Sequence, residues 1–268
     1  MPYNILNSIG IGNGLAVNMG EMKGYSFIDK YGENPDIDTG TVPEDIWDFG
    51  GKYIYDDVGT APILSLVSDD PADTMEIEVQ GLDIDGYMRT QTIALQGTTR
   101  VALTTPLWRV FRMANVGDVN ISGTVYCYTG TGASPISTEI RSIIDNGNNQ
   151  TLMALYTVPR GYVGFLYRGE LGASRTQTAG AVQCAYYSRR FGKVFRVKKR
   201  VDISVSGTSV YIDKRTAPDI IPALTDVKLS IENVSANNTG VFGTFDILLV
   251  EESQFSKEYL EEIGQPYV

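Results

Sequence analysis

The sequence predicts an all-β protein, built as an antiparallel β-sandwich of jelly-roll or immunoglobulin-like type, with two sandwiches in tandem. Three observations carry this prediction. Met75, Ile77 and Val79 alternate with three polar residues, which is the pattern of a strand with one buried face. Runs of this kind recur at short intervals between turn residues, and many of their positions are Val, Ile, Thr, Tyr or Phe, as β-structure favours. No segment of helical period comes between them, which favours a sandwich or barrel over an α/β fold.

Residues 1–50 are predicted to form an extended N-terminal arm. Glycines interrupt this segment, no period persists through it, and it holds eight acidic residues against two basic ones. Long irregular segments are usually functional or disordered. We therefore expect the arm to become ordered against the body of its own chain or against a neighbouring molecule, with Trp47 as its apolar anchor.

Residues 51–135 are predicted to be the first β-sandwich, and residues 136–252 the second. The Asp85-Gly86 pair marks a hairpin turn between two strands of the first sandwich. A stretch rich in Gly, Asn and Ser between residues 129 and 149 marks the boundary. The predicted strands are 75–80, 91–95, 99–103, 107–113 and 120–128, then 152–158, 162–171, 181–188, 194–205, 209–213, 226–234 and 241–250.

Residues 253–268 are predicted to form a short C-terminal helix and tail. Phe255, Tyr259 and Ile263 recur at four-residue spacing, and Gly264 follows them. This is the spacing of an apolar helix face that ends at a glycine. We expect the helix to pack on the second sandwich, and a helix offered to a partner chain is the alternative.

The chain contains no histidine, so it lacks the usual general base near neutral pH and the commonest zinc ligand. Ser-His-Asp and Cys-His sites are excluded, as are most catalytic zinc sites. We therefore predict a binding or structural protein, not an enzyme, with no catalytic residues, no metal ligands and no cofactor. Cys127 and Cys184 are expected to be buried thiols in a reducing cytoplasm, with a disulfide or metal pair as the alternative.

Two acidic loops carry the oxygen ligands that calcium prefers. One contains Asp69, Asp70 and Asp73, and the other contains Asp83 and Asp85. The EF-hand pattern is not met, because its third Asp or Asn and its downstream Glu are missing. We expect these carboxylates to be solvated turn residues.

A basic cluster interleaved with aromatic residues lies in a chain whose formal net charge is -10. Three interpretations stay open: a nucleic-acid surface, a docking patch for an acidic partner such as the acidic arm of another copy, and a strand pair with one solvated basic face. The negative net charge argues against nucleic acid. The cluster comprises Arg189, Arg190, Lys193, Arg196, Lys198, Lys199 and Arg200.

Five blocks of the sequence resemble a family of virion structural proteins from tailed bacteriophages, many of them aquatic. They occur in order over most of the chain, and the segments Glu44–Gly51 and Gln150–Pro159 are the most specific. No catalytic residues come with the resemblance. The blocks are Lys30–Gly51, Val79–Asp83, Trp108–Arg112, Gln150–Pro159 and Phe245–Val250.

The resemblance implies a non-enzymatic virion protein that assembles in the host cytoplasm. We expect a capsid decoration or cement protein that stabilises the head by bridging capsid subunits. A tail-associated adaptor or fibre-base protein and a carbohydrate-binding module for host adhesion are the alternatives. The expected partners are the major capsid protein or other virion proteins and further copies of this chain, with a cyclic homo-oligomer, a trimer first, as the natural arrangement. No membrane partner is expected, because the longest apolar stretches are too short to span a bilayer.

Overall fold

Fourteen β-strands in three antiparallel sheets dominate the computed structural model, which describes residues 13–56, 64–132 and 134–265. This confirms the predicted all-β class. The described helices are two short ones, α1 (Asn13–Asn18) and α2 (Lys257–Glu262), and one 3-10 turn (Glu252–Gln254). None of the described helices is long and apolar enough to cross a membrane. The strands are β1 (Tyr25–Ile37), β2 (Glu44–Asp45), β3 (Ser65–Ser68), β4 (Glu76–Leu82), β5 (Met88–Ala94), β6 (Val101–Ala102), β7 (Arg109–Asn115), β8 (Val125–Tyr128), β9 (Ile140–Ile144), β10 (Leu155–Thr157), β11 (Tyr162–Arg190), β12 (Arg196–Ile221), β13 (Thr225–Val234) and β14 (Thr239–Glu251).

The smaller of two sandwiches pairs a four-stranded sheet, in the order β6-β3-β8-β9, with a three-stranded sheet, in the order β5-β4-β7. Inward-facing residues of both sheets, among them Leu66, Val79 and Met113, form one core. Burying a large apolar side chain stabilises the fold by about 1.5–3 kcal/mol. Burial of the alternating apolar residues therefore explains why this segment forms strand β4. The predicted hairpin joins β4 to β5, where Gly86 adopts a φ of 84°. Strand β9 pairs with β8, so the sequence following residue 135 still contributes to this sandwich.

The larger sandwich is organised by the hairpin of β11 and β12, whose strands are 29 and 26 residues long. One edge of β11 pairs with β12 along most of its length. The other edge pairs first with β14 and then with β13, and a register shift between Arg175 and Gly180 separates the two parts. The sheet therefore folds over, and inward residues of both parts, such as Leu171, Leu229 and Phe245, share one core.

The first and last described strands lie side by side, since β1 pairs with β14 from Tyr25 to Ile37. Residues of the predicted N-terminal arm thus form strand β1 on the body of their own chain. Strand β2 pairs with β13 and β10 also pairs with β13, so the larger sandwich uses both ends of the sequence. The smaller sandwich is an insertion between β2 and β10.

A buried ion-pair cluster joins the two sandwiches. Arg109 on β7 of the smaller unit donates from Nε to Oδ1 of Asp226 on β13 of the larger unit, at 3.1 Å. Asp226 also accepts hydrogen bonds from Arg189 and from the Thr157 hydroxyl. The side chains of Arg109 and Asp226 are each 3% exposed. Because an isolated buried charge is costly, these partners hold the two units in one arrangement.

The segment that contains the C-terminal helix α2 contacts the larger sandwich through residues that flank the helix. The Phe255 ring lies 6.0 Å from Phe165 on β11 and stacks on Tyr259 at 5.2 Å. Ser256 caps the helix by accepting a hydrogen bond from the Tyr259 amide, and Gly264 follows with a φ of 69°. Residues 266–268 of the predicted tail lie outside the described residues.

Both cysteines are free and buried. Cys127 belongs to the core of the smaller sandwich and Cys184 to the core of the larger. Burial raises the pKa of each thiol to about 12, so neither is a thiolate near neutral pH. The prediction of two buried thiols is confirmed, and a disulfide is not formed.

Candidate interaction surface

The predicted basic cluster occupies the closed end of the β11–β12 hairpin. Arg190 and Lys193 close the turn, where the Lys193 amide donates to the Arg190 carbonyl and Gly192 adopts a φ of 65°. A positive φ strains side chains other than glycine, so the sequence Arg190-Phe191-Gly192-Lys193 favours a reversal here. The remaining cluster residues lie on the two strands beside this turn.

Four of the seven predicted cations are engaged within the chain. Arg189 is bound to Asp226 and lies over the rings of Tyr55 and Phe195, at 4.7 and 4.5 Å from their centroids. Arg190 donates to the carbonyl oxygen of Ile263 at 2.7 Å. The other two form ion pairs across or along the sheet: Lys199 with Asp213 at 2.7 Å and Arg200 with Glu232 at 3.8 Å.

The pair of Lys199 and Asp213 shifts both groups toward their charged forms. The hydrogen bond to Asp213 raises the pKa of Lys199. Burial opposes ionisation of Asp213, but the hydrogen bond from Lys199 and the charge of Arg215 lower the pKa of its carboxyl. This ion pair is therefore part of the folded hairpin and is not a free docking charge.

The three other predicted cations, Lys193, Arg196 and Lys198, are exposed and form no ion pair with the described residues. They line one pocket together with Arg190. Their charges are available to an external partner, and the role of this part of the cluster in partner binding stays a prediction.

The structure places Trp47 in the interior, where it is 2% exposed. Its ring packs edge-on against Phe49 and Tyr53, at 5.3 and 5.2 Å between centroids. Its Nε1 donates to the Gly51 carbonyl at 3.2 Å, and its backbone bridges to Met153. Trp47 anchors its segment to the body of its own chain, so within this structure it is not exposed to a neighbour.

Sequence reasoning missed the outer edge of β12. This strand pairs only with β11 among the described residues, so its other edge is open. Residues 203–212 carry no charged side chain, and Val210 and Ile212 are each 52% exposed. An open edge bearing apolar side chains is a template for pairing with another chain. The uncharged run was the available signal, but the sequence reading divided it between two short strands.

A cavity of about 440 Å³ lies between the two sandwiches and is lined by Lys30, Phe111 and Arg112 among others. Burial lowers the pKa of Lys30 to about 7, and burial raises the pKa of nearby Asp48 to about 8. Shifts of this size also occur at active sites. Here the amine of Lys30 donates to the Phe111 carbonyl, and Oδ2 of Asp48 accepts from the Leu152 amide at 3.0 Å. Both groups thus bind backbone segments in the region where the two sandwiches meet.

The acidic loops are also structural. Asp73 is fully buried, and it accepts hydrogen bonds from the Ser68 hydroxyl at 2.6 Å and from the Ser122 and Gly123 amides at 2.8 and 3.0 Å. The expectation of solvated carboxylates was therefore wrong for Asp73, because three donors replace its water. It was also wrong for Asp83, which is buried and accepts hydrogen bonds from the Asp85 and Tyr87 amides. Within residues 13–56, 64–132 and 134–265, no group of three His, Cys, Asp or Glu side chains has a geometry that holds a metal ion.

No protein-family profile and no curated protein matches the chain. Among solved structures, a chain from naturally occurring empty particles of Cowpea mosaic virus is similar, with a TM-score of 0.23 and 10% sequence identity. The match covers 69% of this chain and 80% of the virus chain. A subviral particle of infectious bursal disease virus VP2 is similar at a TM-score of 0.24 and 9% identity, over 87% and 74% of the two chains. Such low scores assign neither family nor function, and the fold description rests on the sheets themselves.

Proposed function

We propose that this chain is a non-enzymatic structural component of a virion that assembles with other chains through the open edge of β12. The carrying observation is the uncharged stretch from Ile203 to Ile212, which pairs with β11 on one edge and with no other described strand on its outer edge. Natural proteins protect long edges with charges, proline, bulges or a covering segment. Lys198 and Lys214 lie beyond the two ends of this edge, but Val210 and Ile212 are exposed between them. A covering chain would satisfy its backbone groups.

The particular role proposed is that of a capsid decoration or cement protein. The blocks that resemble tailed-phage virion proteins support this role. Pairing along about ten residues of β12 also supplies a directional contact that repeats in every copy, as closed assemblies require. The proposed partners are further copies of this chain, as a trimer, and the major capsid protein. Absence of histidine and the structural use of Lys30 and Asp48 support a non-enzymatic role.

The first experiment measures assembly of the purified chain by light scattering coupled to size-exclusion chromatography. The Val210→Lys/Ile212→Lys double variant should convert the assembled species to monomer, because two cations would have to be buried in the paired edge. Val119→Lys is the matched control, since Val119 is 68% exposed on the smaller sandwich. A wild-type chain that stays monomeric at high concentration, or a double variant that assembles like wild type, would refute edge pairing.

The second experiment measures the copy number of this chain in purified virions by quantitative gel analysis. Hundreds of copies per particle are expected of a decoration protein. A dozen or fewer would assign the chain to the tail and refute the decoration role. Absence from the particle would refute the virion proposal.

A further inference from the structure

The end of the larger sandwich contains a pocket of about 400 Å³ beside the turn of the β11–β12 hairpin. The strand register brings its walls together. Arg190 pairs with Thr225, and Ser188 pairs with Arg196. Because side chains alternate along a strand, residues two apart share a face with their cross-strand partners. The backbone pairing thus directs these four side chains to one face of the sheet.

The charge in this pocket is unbalanced. Arg190, Lys193, Arg196 and Lys198 line it, and the one carboxylate in its wall is that of Asp219. Asp219 is already bound to the guanidinium of Arg215. Arg190 donates only to a neutral backbone carbonyl. Four cations thus surround a space in which no carboxylate of the described residues is left to neutralise them.

A buried hydroxyl in the same wall points independently to a ligand. Thr225 is 3% exposed, and its Oγ1 has no hydrogen-bond partner in the part of the chain that the structure describes. Burying a hydroxyl without a partner costs about 1–3 kcal/mol, so such groups are uncommon in folded proteins. An oxyanion in the pocket would accept from this hydroxyl and from the cations together.

We infer that this pocket binds a phosphoryl group. A phosphate dianion carries two charges and offers oxygens in several directions, so cations on both strands and the Thr225 hydroxyl can each reach an acceptor. A carboxylate carries one charge and two oxygens in one plane, which matches fewer of these donors. The same phosphoryl chemistry occurs in free phosphate and in a nucleotide. Val194, Ile220 and Pro222 supply an apolar wall against which a nucleoside would pack.

The test is calorimetric titration of the full-length chain with inorganic phosphate at low ionic strength, where charge pairing is least screened. Saturable binding is expected. Thr225→Val should weaken it about tenfold, the factor that corresponds to one hydrogen bond to a charged group. Arg196→Gln should weaken it at least as much. Lys214→Gln, which removes an exposed cation from the other half of β12, is the matched control and should leave binding unchanged.

Three further measurements separate the possible outcomes. Adenosine monophosphate should bind more tightly than phosphate if the nucleotide is the source, and equally if free phosphate is. Thr225→Val retains the shape of the side chain, so an unchanged thermal midpoint confirms that the variant is folded. The same phosphate titration on the Val210→Lys/Ile212→Lys variant, which is expected to be monomeric, tests whether phosphate binding depends on assembly. The inference is overturned if phosphate gives no saturable heat, if Thr225→Val binds like wild type, or if succinate binds as tightly as phosphate.

Discussion

Asp226 provides the sharpest test of how the two sandwiches are held together. Replacing it by asparagine retains the shape of the side chain but removes the charge that faces Arg109 and Arg189. Arg109 then remains buried with its charge unpaired, because its other acceptors are the backbone carbonyls of Asp56 and Trp108. Arg189 suffers less, since its side chain is 21% exposed and keeps its aromatic contacts.

The expected loss follows from the geometry. At 3.1 Å between Arg109 Nε and Asp226 Oδ1, an effective dielectric constant of about 20 gives an attraction of about 5 kcal/mol. Removing one member of a buried pair typically costs about 3–5 kcal/mol. We therefore expect Asp226→Asn to lower the free energy of unfolding by about 3–5 kcal/mol. Asp219→Asn is the control, because Asp219 is 42% exposed in its pair with Arg215 and should cost at most about 1 kcal/mol.

Urea unfolding followed by intrinsic fluorescence measures this loss, and a second substitution tests its cause. Adding Arg109→Met removes the unpaired charge and supplies an apolar side chain of similar length. The double variant should be more stable than Asp226→Asn alone. The reasoning fails if Asp226→Asn costs less than about 1 kcal/mol, or if the double variant is no more stable than the single one.

Two further predictions concern strand β1 and the region where the two sandwiches meet. Burial raises the pKa of Asp48 to about 8, so the carboxyl group of Asp48 binds its proton more tightly in the folded state than in the unfolded chain. The free energy of unfolding should therefore fall as the pH rises from about 4 to 8, by at most about 1.4 kcal/mol per pH unit. Asp48→Asn should flatten the pH dependence of the urea midpoint between pH 5 and 7, and an unchanged slope would contradict the assignment. A Cβ on Gly32 would lie 2.2 Å from the Ala154 backbone nitrogen, whereas one on Gly40 would meet nothing within 4 Å. Gly32→Ala should therefore cost about 1–3 kcal/mol and Gly40→Ala less than about 0.5 kcal/mol, and equal thermal midpoints for the two variants would show that this close approach is unimportant.

Strand β14 is among the strands that sequence reasoning located, and its alternation is strict. In β14, buried Val241, Phe245 and Ile247 alternate with half-buried residues, and the pattern is visible without any structure. Strand β1 was missed because its sequence contains Gly32 and Pro35, and these residue types are typical of loops. Gly32 instead allows the close approach to Ala154, a contact between distant segments that no local pattern reveals.

The hairpin of β11 and β12 was divided into shorter strands for a similar reason. Gly172 and Gly207 interrupt the apolar pattern, yet both lie within continuous strands. The ring of Phe242 occupies the space beside Gly172 that a Cβ would need. A glycine covered by an aromatic ring from the next strand is indistinguishable, in the sequence alone, from a glycine in a turn.

The basic cluster was recognised from composition, but its division into interior and available charges was not. Arg189 faces inward because it meets Asp226, which lies 37 positions further along the chain. Arg196 has no such partner among the described residues. The tertiary fold determines which residues neutralise each charge. The sequence therefore identifies the cations but does not show which of them form ion pairs within the chain. Thr225, the buried hydroxyl of the pocket, carries no signal of its own in the sequence.

The pairing of the first strand with the last has a consequence for biosynthesis. Tyr25 meets Val250, so at a translation rate of about 5–20 residues per second the ribosome needs tens of seconds or less to supply the partner of β1. The inserted sandwich emerges in the meantime with all of its strands contiguous, and it can fold while the nascent chain is still being extended. The outer unit closes only after β14 has been synthesised, which delays the burial of β1 until the inserted sandwich has already emerged.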